Sequence, residues 1–133
     1  MKRKLYSSGA PWESRVGYSR AVRTGPFIEV AGTTAVVNGV LVGEDDPYLQ
    51  TITVLNIMEK AVRELGGSLQ DVVRTRIFVT NIEHFEEVGR AHGTFFKDIR
   101  PASTLVEVSA LVDPKMLVEI ELSAIIATEN EEL

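Results

Sequence analysis

Cysteine is absent from this chain of 133 residues. That excludes disulfides, thiolate metal sites and cysteine nucleophiles, and it fits a reducing, cytoplasmic setting. Histidine occurs only as His84 and His92, without acidic residues at metal-ligand spacing, so neither a metal site nor a cofactor is expected. Basic residues are outnumbered, with 14 Lys and Arg against 19 Asp and Glu and a net charge of −5. Such a chain attracts phosphates weakly, which opposes a nucleic-acid partner. No apolar run reaches membrane-spanning length, because "MLVEIELSAIIA" is broken by two glutamates. The basic start "MKRKLYSSGAPW" lacks the apolar stretch of a signal peptide. Repeats, linkers, a G-x-S-x-G elbow, a phosphate-binding loop and a dinucleotide fingerprint are all missing. The tail "TENEEL" reads as a solvated end.

What is present reads as one domain over 1–133. Residues 18–24 and 27–33 are β-rich and separated by Gly25-Pro26, a hairpin signature. Asn38-Gly39 marks a further turn. Asp45-Asp46-Pro47 starts a helix, since a carboxylate suits the free N–H groups and proline suits the first turn. Leu55, Met58, Val62 and Leu65 form its apolar stripe, and Gly66-Gly67 ends it. Residues 72–80 form a strand. Asn81 caps a second helix, with Ile82, Phe85, Val88, His92 and Phe95 on one face. Strands over 102–110 and 117–127 complete the order β-β-α-β-α-β-β. This is an α+β fold, a mixed sheet with two helices on one face. The other face needs cover, which a second subunit can supply.

Strand residues alternate sides. Val73, Thr75, Ile77 and Val79 suit packing under helices, opposite Arg74, Arg76 and Phe78. In the next strand Ala102, Thr104, Val106 and Val108 form the apolar side, and Ser103, Leu105 and Glu107 the mixed one. In the last, Val118, Ile120, Leu122 and Ala124 oppose Glu119, Glu121 and Ser123. The mixed faces read either as a wet sheet surface with weak ion pairs or as a subunit interface holding a polar pocket. Phe78, Leu105 and Leu117 among the charges favour the interface. Arg20 and Arg23 read as solvated, although Arg20 alternates with Tyr18 and could reach a cleft. His92 reads as a core or interface histidine with one hydrogen bond.

Three stretches carry a resemblance: "GYSRAVRTGPFIEVAGTTAV", "VVRTRIFVTNIEHFEEVGRAHGTFF" and "RPASTLVEVSALVDPKMLVEIELSAIIA". Together, over about residues 16–127, they resemble the RidA/YjgF family, whose older labels are endoribonuclease L-PSP and translation initiation inhibitor. The resemblance implies a chorismate-mutase-like fold, a homotrimer with sheets inside and helices outside, and a ligand cleft at each subunit interface. It implies hydrolysis of imines, derived from enamines, to keto acids and ammonia. The family's amino-terminal tyrosine matches Tyr18, its small pair matches Ala31-Gly32, and its last-strand glutamate matches Glu119. The arginine that clamps a substrate carboxylate is replaced by Ser103, and an asparagine of the second helix by Gly89. A hydroxyl cannot reproduce a guanidinium's two parallel charged hydrogen bonds.

Two readings follow from the resemblance. In one, the protein is a hydrolase of small C=N compounds. Glu119 handles the water, Tyr18 and Ser103 give hydrogen bonds, Ala31, Gly32 and Leu105 line the cleft, and Arg76 or Arg20 orients a small acid or imine. In the other, the same cleft binds a small molecule without catalysis. RNA cleavage is opposed by the acidic balance.

Overall fold

The computed structural model describes residues 2–127; the TENEEL tail lies outside them. The hairpin across Gly25-Pro26 forms as expected, as β2 (Ala21–Thr24) and β3 (Phe27–Thr33). Two segments precede it that the sequence reading did not assign: β1 (Arg3–Tyr6), paired antiparallel to β2, and a short helix α1 (Pro11–Val16). Asn38 and Gly39, at φ 51° and 78°, make the tight turn between β4 (Val36–Val37) and β5 (Val40–Leu41).

Helix α2 (Pro47–Glu64) begins where the Asp46 side chain accepts from Leu49 N. It ends at Gly66, whose φ of 91° is left-handed. Arg23 donates to the Leu65 carbonyl there at 2.7 Å, so this arginine caps a helix rather than facing water. Strand β6 (Val72–Val79) follows. A 3₁₀ turn at Ile82–His84, started by Asn81 accepting from Glu83 N, leads into α3 (Phe85–Phe96). Val88, Ala91 and Phe96 are the buried residues of α3, whereas Ile82 and Phe85 of the expected stripe are exposed. Strands β7 (Ala102–Glu107) and β8 (Val118–Ile125) finish the sheet. The sheet order is β1-β2-β3-β8-β6-β7, antiparallel except for the β6–β7 pair.

The core lies between α2, α3 and one sheet face. It joins Val54, Leu55, Met58 and Val62 to Ile28, Val30, Ile77, Val79, Ile120 and Leu122. Alternation places Glu119, Glu121, Arg74, Arg76 and Phe78 on the opposite face, as expected for β6 and β8. Two positions differ. A register irregularity between Val72 and Arg74 buries Val72 and leaves Val73 exposed. In β7 the two faces are exchanged. Ser103 and Leu105 lie beside Thr75 and Ile77 in parallel register, so they face the helices. Ala102, Thr104 and Val106 therefore belong to the open face. No helix among the described residues is long and apolar enough to cross a membrane.

Candidate functional site

The pairing of β3 with β8 slips between Val30 and Thr33, at Ala31-Gly32. The slip sits beside Glu119. A Cβ added to Gly32 would collide with the Glu119 carboxylate, so glycine is what lets the carboxylate lie against the bulge. The sequence pair and the sequence glutamate thus meet in space, across neighbouring strands.

Glu119 is half-buried. Burial raises its pKa above the ordinary carboxylate value, and the nearby Glu121 charge adds to the rise while Arg20 opposes it. Arg20, expected to be solvated, is only 9% exposed. Its Nη2 donates to the Gly32 carbonyl at 3.0 Å, and its guanidinium stands 5.6 Å from the centre of the Tyr18 ring. No ion pair joins Arg20 to Glu119 among the described residues. Arg76 pairs instead with Glu121 at 3.6 Å, and Arg74 donates to the Thr104 hydroxyl at 2.6 Å.

An open depression of 730 Å³ runs along this face, lined by Tyr18, Ala31, Arg76, Glu29, Glu121 and Leu5 among others. It reaches the Glu119 niche at Ala31 but does not enclose Glu119. The carboxylate in its glycine niche is the better guide to chemistry, because it combines a fixed position with a perturbed proton affinity. Three of the expected ligand residues, Tyr18, Ala31 and Arg76, line the depression. Gly32 and Glu119 adjoin it.

Ser103 and Leu105 do not join this group within one chain. Thr75, fully buried, donates to Ser103 Oγ at 2.8 Å and lies 2.9 Å from His92 Nε2. Leu105 packs against the core. Glu107 accepts from Ile82 N at 2.9 Å at the entry to α3. The expectation that Ser103, Leu105 and Glu107 share a face with Arg76 and Glu119 is corrected here. Within the chain their polar groups are met by a hydroxyl–imidazole chain and a helix-entry contact. His92 has the single hydrogen bond expected of it, and burial lowers its pKa. Among the described residues, no cluster of three or more His, Asp or Glu could hold a metal.

Glu13 was missed by sequence reasoning. It is 5% exposed on α1, and its carboxylate accepts from Ser7 Oγ at 2.8 Å and from the Ser8 hydroxyl and backbone N. Burial pushes its pKa up, but these donors and Arg20 outweigh burial and hold it below the usual value. The only sequence signal was the pair of serines five and six residues before a glutamate.

Residues 8–126 match the family described as Endoribonuclease L-PSP. An uncharacterized protein of Streptomyces coelicolor is 40% identical over 117 residues, covering 88% of this chain and 87% of the relative. A RutC family protein of Pyrococcus abyssi is 34% identical over 107 residues, covering 78% of this chain and 82% of the relative. A crystal structure of a YjgF/YER057c/UK114 family member from Mycobacterium tuberculosis matches with a TM-score of 0.86 at 48% identity, over 94% of this chain and 100% of that one.

Proposed function

This chain belongs to the Endoribonuclease L-PSP (YjgF/Rid) family, and from that premise we propose that it is a homotrimer acting on small imines or related C=N compounds at clefts completed by a neighbouring copy. The observation that carries the reading is the Glu119 carboxylate, seated against Gly32 with a raised pKa. A carboxylate poised closer to neutrality can both take and return a proton. In imine hydrolysis, water adds to the C=N carbon as Glu119 removes its proton. Glu119 returns that proton to nitrogen to give the carbinolamine, then carries the carbinolamine hydroxyl proton to nitrogen as the C–N bond breaks, and ketone and ammonia leave. Tyr18 and Arg20 border the same niche and supply polar contacts.

The trimer is supported by the open face. Leu5, Phe27, Val106 and Ile125 are exposed there with no cover from their own chain. Light scattering at micromolar concentration should give three times the chain mass, and Ile125→Asp should lower it. A monomeric native protein would remove the trimer and its interface clefts together. A cysteine-free chain also suits a reducing cytoplasm.

A second reading, ligand binding without catalysis, is favoured by Ser103. This residue replaces the family's clamp arginine and is engaged by Thr75 on the helix side of the sheet. Hydrolysis of 2-iminopropionate, measured for the native protein, for Glu119→Gln and for buffer alone, separates the two. Turnover above the blank that disappears in Glu119→Gln supports the hydrolase. A native rate equal to the blank supports the binder.

A further inference from the structure

We propose that Glu13 is a positioning residue for Tyr18. Its carboxylate, held by Ser7 and Ser8, fastens α1 to the chain before it and so fixes the tyrosine in the wall of the depression. This rests on the reading of that depression as the ligand cleft.

Helix α1 has little else to hold it. It spans six residues, and helices shorter than about 12 residues are marginal in water on their own. Its N-cap, Ala10, offers no side-chain hydrogen bond. Its large apolar residues do not pack, since Trp12 is 52% exposed and Val16 69% exposed. The buried residue of α1 is Glu13. A surface helix ordinarily docks through an apolar stripe, and here the docking group is a carboxylate. Burying that group is costly unless hydrogen bonds meet it. Glu13 Oε1 accepts from Ser7 Oγ at 2.8 Å, and Oε2 accepts from the Ser8 hydroxyl and from Ser8 N at 3.3 Å. All three donors come from the two residues that follow β1. Both carboxylate oxygens are thus engaged, and α1 is tied to the end of a sheet strand.

The same residue reaches Tyr18 through its backbone. The Glu13 carbonyl accepts from Gly17 N and from Tyr18 N, both at 2.9 Å. Gly17, at φ 91°, ends α1 in the left-handed region and turns the chain back so that both N–H groups meet that carbonyl. Glu13, Gly17, Tyr18 and Ser19 all line the depression. The Tyr18 ring is 38% exposed, so its own burial does not fix it. Its other support is Arg20, whose guanidinium stands 5.6 Å from the ring centre and donates to the Gly32 carbonyl at 3.0 Å. Tyr18 is therefore held at two points, by Glu13 at its backbone and by Arg20 at its ring. A phenol that is to meet a ligand must keep one place, and the Glu13 contacts supply the backbone half of that constraint.

The test follows the Tyr18 ring resonance in ¹³C-tyrosine-labelled full-length protein. The chain has three tyrosines, and the Tyr18 signal is assigned by its loss in Tyr18→Phe. Tyr48 of α2, with the Arg90 guanidinium 4.6 Å from its ring centre, is the internal control for folding. In Glu13→Gln the amide accepts through one oxygen only, so a serine donor loses its acceptor. The Tyr18 signal should move toward the position of free tyrosine, with Tyr48 unmoved. Ser7→Ala with Ser8→Ala removes no charge and should move the Tyr18 signal in the same direction. Ser7→Thr with Ser8→Thr keeps both hydroxyls and should hold the native position. Because the serines act through Glu13, adding both alanines to Glu13→Gln should move the signal little further than Glu13→Gln alone. A native Tyr18 signal in Glu13→Gln or in the alanine pair, or fully additive shifts, would overturn the proposal. If Glu13→Gln does not fold, the serine variants decide it. With 2-iminopropionate, displacement of a binding group should raise KM and leave kcat little changed. A displaced ring with KM unchanged would separate Tyr18 from the ligand and sink the positioning role. The resonance needs no substrate, so a protein inactive on imines would defeat the hydrolase reading and leave the placement of Tyr18 testable.

Discussion

Gly32→Ala isolates what the glycine does. Gly32 does not take a left-handed φ, so its backbone accepts alanine. The added Cβ would meet the Glu119 carboxylate, with Cδ at 3.1 Å and Cγ at 3.4 Å. Because the obstructing oxygen ends a flexible side chain, the cheapest relief is rotation of Glu119. Holding it off its preferred rotamer costs about 0.5–1.5 kcal/mol. Alanine also restricts the unfolded chain, which returns about 0.4–1 kcal/mol. The two nearly cancel, so stability should change by less than about 1 kcal/mol, a few degrees at most in Tm. Function should not be spared. The carboxylate oxygen must retreat by about 1 Å to reach ordinary contact, and a misplacement of that size can cost on the order of 100-fold in rate. In a Glu119→Ala background the obstruction is gone, and Gly32→Ala should become stabilising by about 0.4–1 kcal/mol. Urea denaturation of the four proteins gives the coupling, expected at about 0.5–1.5 kcal/mol, and turnover of 2-iminopropionate gives the functional loss. A crystal structure of Gly32→Ala with Glu119 unmoved, or full additivity in the cycle, would refute the reasoning.

Two further outcomes are expected. Gln50 is fully buried, and its amide donates to the carbonyls of Gly43 and Lys115 and accepts from Leu117 N, two residues before Glu119. Gln50→Leu leaves these backbone groups unpaired and should cost on the order of 3 kcal/mol in urea denaturation, with Glu119-dependent turnover falling too. His92 is partly buried, and that burial depresses its pKa below 6.5, so the folded state binds its proton less readily than the unfolded chain. Its contribution is complete above pH 6.5 and is lost as pH falls through the depressed value. Replacing it by Gln should flatten the acid limb of a stability–pH curve, and an unchanged limb would assign that limb to the carboxylates.

Much of the fold was determined by sequence alone, wherever one local cause outweighed the rest. Asp46-Pro47 and Gly66 bound α2 because helix ends have fixed hydrogen-bonding and dihedral needs. The alternation in β6 and β8 named the correct faces because both are interior strands, covered by helices on one side only. Ala31-Gly32 and Glu119 were legible through the family resemblance, but their contact was not, since it joins residues far apart in the chain. Edge strand β7 misled for a physical reason. Its helix-facing Ser103 is satisfied by buried Thr75 and so looks like a water-facing residue, while Val106, on the open face, looks like core. Arg20 and Glu13 misled in the same way. A charge in sequence implies solvent until the fold brings its partners to it, and only the tertiary structure sets Arg20 against the Gly32 carbonyl and Glu13 against the serine donors. Period and punctuation thus decided the elements. The burial of polar groups was decided by long-range pairing, because a hydrogen bond or counter-charge from a distant segment is what makes such burial affordable.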